Sequence, residues 1–428
     1  MTHFGLICPT ATGHINTIFP LAKELQKRGH HITVINIPYA ESLASAAGFD
    51  FQVFGEAEWS NEIRAQSYAK LAQLSGKEAL NFTFGTLKKK TANALRDVPR
   101  IIKEVGIEAL IVDQTSFEGG TIAEYLNIPF ITLCSALPFN QEINIPPFAV
   151  SWGYNRAWWA KLRNQLGYSQ INRLFKPTWE IVSEYRRQWN LPAYSDISDI
   201  NEYDSKVAII SQQPVEFEFP RQKLPAHFHF TGPFHDSTGR KAVDFPFEKL
   251  NDKPLIYASM GTLQNRLKYV FSDIAEACTG LDAQLVISLG GALEPEAIGN
   301  LPGNPLVVKY APQLELLQKA SLTITHSGLN TTLESLNNKV PMVAIPVTND
   351  QPGIAARTVW SGAGEAIPLK KLTVSKLRES IKRVLTSDSY KQNALKLQTA
   401  IRNAGGVKRA ADIIEKAVTT REPVLVQR

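Results

Sequence analysis

A chain of 428 residues that is 44% hydrophobic and 20% charged is too long for one ordinary core, and two large globular domains are the expected count. No uninterrupted apolar run of about 18 residues occurs, which argues against a bilayer-spanning protein. A net charge of +6 without a dense Lys/Arg stripe argues against nucleic acid; it suits an anionic small molecule, or peripheral contact with an anionic membrane.

The opening residues Met1 to Gly5 run into an apolar strand without a basic region or a small-residue cleavage site, so a cytoplasmic protein is expected. Phe4 to Cys8 is that strand and Pro9 to His14 a loop. Ile18, Leu21, Ala22 and Leu25 then fall at helical spacing until Gly29 stops the helix. Ile32 to Ile35 completes a βαβ unit, and Ala109 to Asp113 and Phe130 to Leu133 continue it. Two stretches, Glu58 to Arg100 and Pro138 to Leu191, read as helices and loops without a paired strand. The first contains Lys88-Lys89-Lys90, read as a solvated helix face. The second holds Trp152, Trp158, Trp159, Trp179 and Trp189, five of the seven tryptophans. They either pack helices together or wall an apolar acceptor pocket, for which Thr12, Trp152, Trp158 and Trp159 are the candidates. Cys8, Cys134 and Cys278 lack CxxC spacing and are expected to be buried thiols.

Residues His235 to Pro254 are polar, with Gly239 and Pro246, and have the composition of an interdomain linker. From Pro254 the pattern restarts. Strands are expected at Leu255 to Ser259, Leu285 to Ser288, Leu306 to Val308, Leu322 to Thr325 and Met342 to Ile345, with a helix carrying Val270, Phe271, Ile274 and Ala277 after the first. The expected fold is therefore α/β, two Rossmann-like doubly wound domains facing across a cleft. Residues 1–235 form the first, 236–253 the linker and 254–408 the second. Ligands of open α/β sheets sit at the carboxyl ends of the strands, so both halves should contribute to a site in that cleft.

The densest chemistry lies between Tyr310 and Gln351. His326 sits at the carboxyl end of a strand, Ser327-Gly328 makes a tight turn, and Asn330-Thr331-Thr332 opens a helix. Free N–H groups and the positive dipole end of such a helix start favour phosphate. His326, Asn330 and Thr331 add donors there, forming a diphosphate clamp that needs no metal. Glu334, one turn on, is placed to accept from ribose hydroxyls. Ser259, Gly261 and Thr262 supply a second strand-to-helix turn on the same rim.

The run from Tyr310 to Gln351 resembles the donor-binding signature of the family 1 glycosyltransferases, the UDP-glycosyltransferases of the GT-B fold. The resemblance extends over essentially the whole chain. The wording His326-Ser-Gly-Leu-Asn-Thr with Asp350 to Arg357 is most similar to bacterial zeaxanthin glucosyltransferases and, more distantly, to macrolide glycosyltransferases. The resemblance implies uracil stacking on Tyr310, where plant members carry tryptophan, a backbone contact to the base at Ala311, and a neighbouring Gln313. It implies phosphate contacts at His326, Asn330 and Thr331, a ribose carboxylate at Glu334, and sugar-hydroxyl contacts at Asp350 and Gln351. It also implies that the C-terminal helix and tail, 409–428, return to the first domain.

An alcohol is a poor nucleophile, so transfer needs a base. His14, in the first loop, has the ordinary pKa for the task, and Asp113, ending a strand on the same edge, is placed to hold its imidazole. The resemblance puts the catalytic dyad at the same two residues. The expected reaction is inverting and metal-independent, needs no cofactor, and moves glucose from UDP-glucose as co-substrate to a hydroxyl of a small lipophilic acceptor, giving a β-glucoside. A carotenoid such as zeaxanthin is the favoured acceptor, with phenolic or flavonoid, sterol and macrolide alcohols as alternatives. A UDP-sugar epimerase of similar fold, and a non-enzymatic nucleotide-binding activator of a partner transferase, are the competing classes.

Overall fold

The computed structural model describes residues 1–234, 243–262, 267–291 and 293–426. The first half runs β1 (His3–Ile7), α1 (Thr12–Lys27), β2 (His31–Asn36), α2 (Glu41–Ala46), β3 (Asp50–Val53), α3 (Asn61–Leu71), α4 (Gly76–Val105), β4 (Ala109–Asp113), α5 (Glu118–Leu126), β5 (Phe130–Cys134), α6 (Trp158–Gln188), β6 (Ile209–Ser211) and β7 (Phe228–Phe230). The second runs β8 (Leu255–Ser259), α7 (Lys268–Cys278), β9 (Gln284–Ser288), β10 (Leu306–Val308), α8 (Gln313–Lys319), β11 (Ala320–Thr325), α9 (Leu329–Asn337), β12 (Met342–Ala344), α10 (Gln351–Trp360) and β13 (Gly364–Ala366). After it come α11 (Val374–Thr386), α12 (Asp388–Asn403) and α13 (Gly406–Thr420).

Two parallel sheets result, ordered β3-β2-β1-β4-β5-β6-β7 and β10-β9-β8-β11-β12-β13. The central strands are Val/Ile/Leu runs buried on both faces, as helices covering both sides of a sheet require. The strands not anticipated are β3, β6, β7 and β13, each of three or four residues, too short to show a period. The two long strandless stretches are occupied by α3 and α4, and by α6.

Strand order turns around at β1 and β4 in the first sheet and at β8 and β11 in the second. Their registers, Ile7 opposite Val112 and Ser259 opposite Thr325, bring each pair of carboxyl ends side by side. A crevice opens at such a switch point because the two following helices leave on opposite faces.

Of the expected linker, residues 236–242 lie outside the described residues; further along, Phe245 is buried with Leu255 and Tyr257 of the second half. One apolar cluster spans both halves, containing Phe117, Phe175 and Trp179 with Leu329, Leu333 and Ile354. The last helix returns to the first half: Ala410 and Ile414 of α13 pack with Ile18 and Leu21 of α1, and Arg28 donates to Asp412 and Glu415 at 2.6 Å each. The three cysteines are buried and free, with burial pushing the Cys8 thiol up to about 12. No helix among the described residues is long and apolar enough to cross a membrane.

Candidate active site

His14 lies in the first turn of α1, directly after the β1 loop, and Asp113 is the last residue of β4. The β1–β4 pairing therefore makes them neighbours. His14 Nδ1 donates to Asp113 Oδ2 at 2.8 Å. The other carboxylate oxygen accepts from the Thr115 N–H at 2.9 Å and the Thr115 hydroxyl at 2.6 Å, and Ser135 Oγ donates to Asp113 while lying 2.7 Å from His14 Nδ1. Burial pushes the Asp113 carboxyl up, but the charge and hydrogen bond of His14 and the two hydroxyls outweigh it and hold the acid below its usual range. Burial likewise pushes His14 down, and the Asp113 charge and hydrogen bond, with Asp350 further off, raise it net above its ordinary value. With Nδ1 committed to Asp113, Nε2 is the ring nitrogen left to accept a proton.

Lysine 90 corrects the expectation of a solvated Lys88-Lys89-Lys90 face. Lys88 and Lys89 are exposed. Lys90 turns inward, its ammonium donating to the Cys8 carbonyl at 3.0 Å and Asn36 Oδ1 at 3.2 Å. Three consecutive helix positions span about 200°, so they cannot share one face. Burial lowers the Lys90 pKa, and its charge acts on His14 against protonation.

On the other sheet, the loops after β8 and β11 meet around His326. A Cβ at Gly261 or Gly328 would lie 2.5 or 2.6 Å from its ring, so both positions must be glycine for the imidazole to sit between them; Gly261 also needs its φ of +74°. The Gly261 N–H donates to Ser259 Oγ at 3.3 Å, and Thr262 continues that turn. Burial pushes His326 down to about 4, opposed by a backbone hydrogen bond at Ser259, so the ring is a neutral donor rather than a cation. Gly328 N-caps α9 without a side-chain cap bond, and the first turn of α9 holds no acidic residue, leaving a helix start suited to phosphate.

Gln313 ties the nucleotide-side residues together. Its amide donates to Glu334 and, at 3.3 Å, to the Thr331 hydroxyl, while its oxygen accepts from Tyr257 OH at 3.1 Å. Glu334 is 1% exposed and so held in place rather than solvated. Ala311 is buried beside this cluster. Tyr310 lies partly open with its ring over Gly291, where a Cβ would come within 2.2 Å. Asp350 directly precedes α10 and feels the His14 charge; burial nonetheless raises its pKa. Gln351 is buried, its oxygen accepting the N–H groups of Val347 at 2.8 Å and Thr348 at 3.0 Å, which commits that atom to shaping the loop.

The halves touch at the catalytic loop. Asn330 Nδ2 donates to the Gly13 carbonyl at 2.8 Å, and Asn330 Oδ1 accepts from Thr17 Oγ1 at 3.3 Å and from Gln212 Nε2 at 2.9 Å. Gln212 also donates to the Ser135 carbonyl at 2.6 Å. Ser135, Gln212 and Thr115 are not among the residues the sequence singles out, and Lys90 is there read only as solvated. Ser135 and Gln212 directly follow β5 and β6, so the rule that selected Asp113 points to them too; three-residue β6 left no pattern to apply it to.

The aromatic wall divides. Trp179 is core, stacked on Phe175, and Trp189 stacks on Tyr125. Trp152 is half-buried against Gly167 under the Arg163 guanidinium. Trp158 and Trp159 are 77% and 47% exposed on the outward face of α6, which corrects their expected place in an enclosing wall: helix α6 buries the opposite side. Thr12 is exposed at the start of α1, two residues before His14.

A family model described as UDP-glucoronosyl and UDP-glucosyl transferase matches residues 5–405. The zeaxanthin glucosyltransferase of Pantoea ananas is 31% identical over 427 residues, covering 99% of this chain and 98% of that protein; that of Pseudescherichia vulneris is 29% identical over 429 residues, covering 99% and 100%. Among solved structures, a calicheamicin glycosyltransferase superposes with a TM-score of 0.75 at 19% identity, covering 99% of this chain and 100% of that one. A Streptomyces glycosyltransferase complexed with thymidine diphosphate gives 0.66 at 16%, covering 97% and 100%. These structures share the fold, two Rossmann-like parallel-sheet domains in the GT-B arrangement.

Proposed function

Because the chain belongs to the UDP-glucoronosyl and UDP-glucosyl transferase family and is a UDP-glycosyltransferase, we propose that it moves glucose from UDP-glucose to a hydroxyl of a small lipophilic acceptor. The favoured acceptor is a carotenoid alcohol such as zeaxanthin, with inversion to a β-glucoside and without a metal or other cofactor. The observation that carries the reading is the His14–Asp113 pair at one switch point, facing the His326, Asn330 and Thr331 donors at the other, with Asn330 touching Gly13.

In this reading His14 Nε2 takes the acceptor proton as the acceptor oxygen bonds to the anomeric carbon. Asp113 stabilises the imidazolium. The bond from that carbon to UDP breaks on the opposite face, and its electron pair leaves on the β-phosphate, toward the α9 start and His326. Tyr310 supplies the stacking face for the base, Glu334 the ribose acceptor, and Asp350 the contact to sugar hydroxyls. Glucose rests on the Asp350-Gln351 pair, and the carotenoid preference on likeness to the two zeaxanthin glucosyltransferases.

Purified protein is incubated with UDP-glucose and a panel of carotenoid, phenolic, sterol and macrolide alcohols, with mass detection and the anomeric coupling read by NMR. A β-glucoside of the carotenoid, unaffected by EDTA, is expected. An α-product would overturn single displacement, and conversion of UDP-glucose without acceptor would favour an epimerase.

A further inference from the structure

The first turns of α6 carry an apolar face turned to solvent. At 100° per residue, Trp158, Trp159, Leu162 and Leu166 fall within an arc of about 100° and extend about 12 Å along the axis. Leu162 and Leu166 are 51% and 59% exposed, beside the two exposed tryptophans. The orientation is pinned from the inner side, where Asn164 Nδ2 donates to the Ile143 carbonyl at 2.9 Å and Tyr168 OH to the Ile145 carbonyl at 2.8 Å. Scattered exposed leucines need no explanation, but a contiguous Trp/Leu face does.

Along this stretch of chain the charge has one sign, until Glu180 pairs with Lys176 at 3.7 Å. Between Glu142 and Glu180 the chain has no acidic residue, while Arg156, Lys161, Arg163, Arg173 and Lys176 fall there. The first turn of α6 carries no acid, although a helix N-terminus favours one. Arg163 is locked, its guanidinium over the Trp152 and Trp159 rings at 4.7 and 5.4 Å and donating to Asn164 Oδ1 at 3.0 Å. Tryptophan and leucine on one helix face with a cationic rim is the composition of a helix lying in a membrane interface over anionic lipid. The connection that begins with Ser135 at the dyad leads into this helix, which puts the patch on the half that would receive the acceptor.

We propose that the Trp158–Leu166 face of α6 docks the enzyme on an anionic bilayer, from which a membrane-dissolved acceptor is drawn; the inference rests on the lipophilic-acceptor reading above. Flotation of the full chain with phosphatidylcholine vesicles, with and without phosphatidylglycerol, tests it. The wild type binds the mixed vesicles and releases with salt. Leu162→Glu/Leu166→Glu lowers partitioning by about tenfold or more, and Arg156→Glu/Lys161→Glu does so by about tenfold on the mixed vesicles alone. An unchanged thermal transition in each variant shows that the fold is kept. Failure of the wild type to bind mixed vesicles, or equal binding by Leu162→Glu/Leu166→Glu, overturns the proposal. So does a wild-type dimer in sedimentation velocity that this variant dissociates without any vesicle binding, which would assign the face to a second copy of the chain. Binding is read without substrate, so vesicle binding with no glucoside from any acceptor sinks the functional reading and leaves the docking surface standing.

Discussion

The side-chain amide of Asn330, at the start of α9 in the second half, donates to the carbonyl of Gly13 at 2.8 Å, one residue before His14 in the first half. A helix start aimed at phosphate is thereby fastened to the loop carrying the base, and Gln212 extends the link to Ser135. Asn330→Ala should lower kcat/KM for UDP-glucose by about 10- to 100-fold, since several hydrogen bonds worth about 1 kcal/mol each are lost together. Asn330→Asp keeps the acceptor for Thr17 and Gln212 but loses the donor to Gly13 and sets a charge near the diphosphate. It should be the worse variant, and steady-state kinetics showing it better than alanine would refute the link.

His14→Ala should reduce transfer by about 1,000-fold or more through loss of the base while UDP affinity, read by calorimetry, stays within about threefold. Asp113→Asn leaves the imidazole buried without its counter-charge. Its acid limb in the pH–kcat/KM profile should move to lower pH while the plateau falls.

The pH profile should also report Lys90. The base must be unprotonated, and the Asp113 charge and hydrogen bond outweigh burial and hold His14 above its ordinary value of about 6.5, so kcat/KM should rise with pH through a midpoint above that value. Lys90 opposes the proton on His14. Lys90→Met should therefore raise the midpoint and cost more activity at acid than at alkaline pH, whereas Asp350→Asn, which removes an anion near the ring, should lower it. Identical midpoints in wild type and both variants would show that these charges do not reach the base.

Gly261→Ala and Gly328→Ala each put a methyl about 2.5 Å from the His326 ring, a distance at which the ring must move. UDP affinity should drop at least about tenfold in each. In a His326→Ala background the Gly328→Ala change should cost little more, while Gly261→Ala keeps about 1 kcal/mol of backbone strain from its positive φ. Additive losses in the double variants would mean the glycines act on something other than the ring.

Tyr310→Ala should weaken UDP by about 5- to 150-fold, the range for losing one base–aromatic stack at about 1–3 kcal/mol. Tyr310→Phe and Tyr310→Trp should stay near wild type. Equal losses in the phenylalanine variant would point to the hydroxyl instead.

The long strands, α1 and the restart at Pro254 were legible because a buried parallel sheet forces continuous Val/Ile/Leu runs and its crossover helices force the 3.6-residue period. The site's skeleton was legible for a related reason: Asp113 ends a strand, and His14, His326 and Asn330 lie shortly after strand ends, where topology places ligands whatever the side chains around them do. Three-dimensional neighbours were not. Ser135 joins the dyad only because β5 lies beside β4, and Gln212 reaches Ser135 only because β6 lies beside β5; Lys90 turns inward through the rotation of one helix position, and Arg357, last in the recognisable motif, is spent on a buried ion pair with Glu218. Trp158 and Trp159 carry the same lesson in reverse. The sequence by itself determined which residues are apolar and at what spacing; only the packing of α6 against the 143–152 loop decided that its inward side would be Asn164, Gly167 and Tyr168, leaving the tryptophans facing out, because a helix has one buried face and the loop's carbonyls claimed the donors on it.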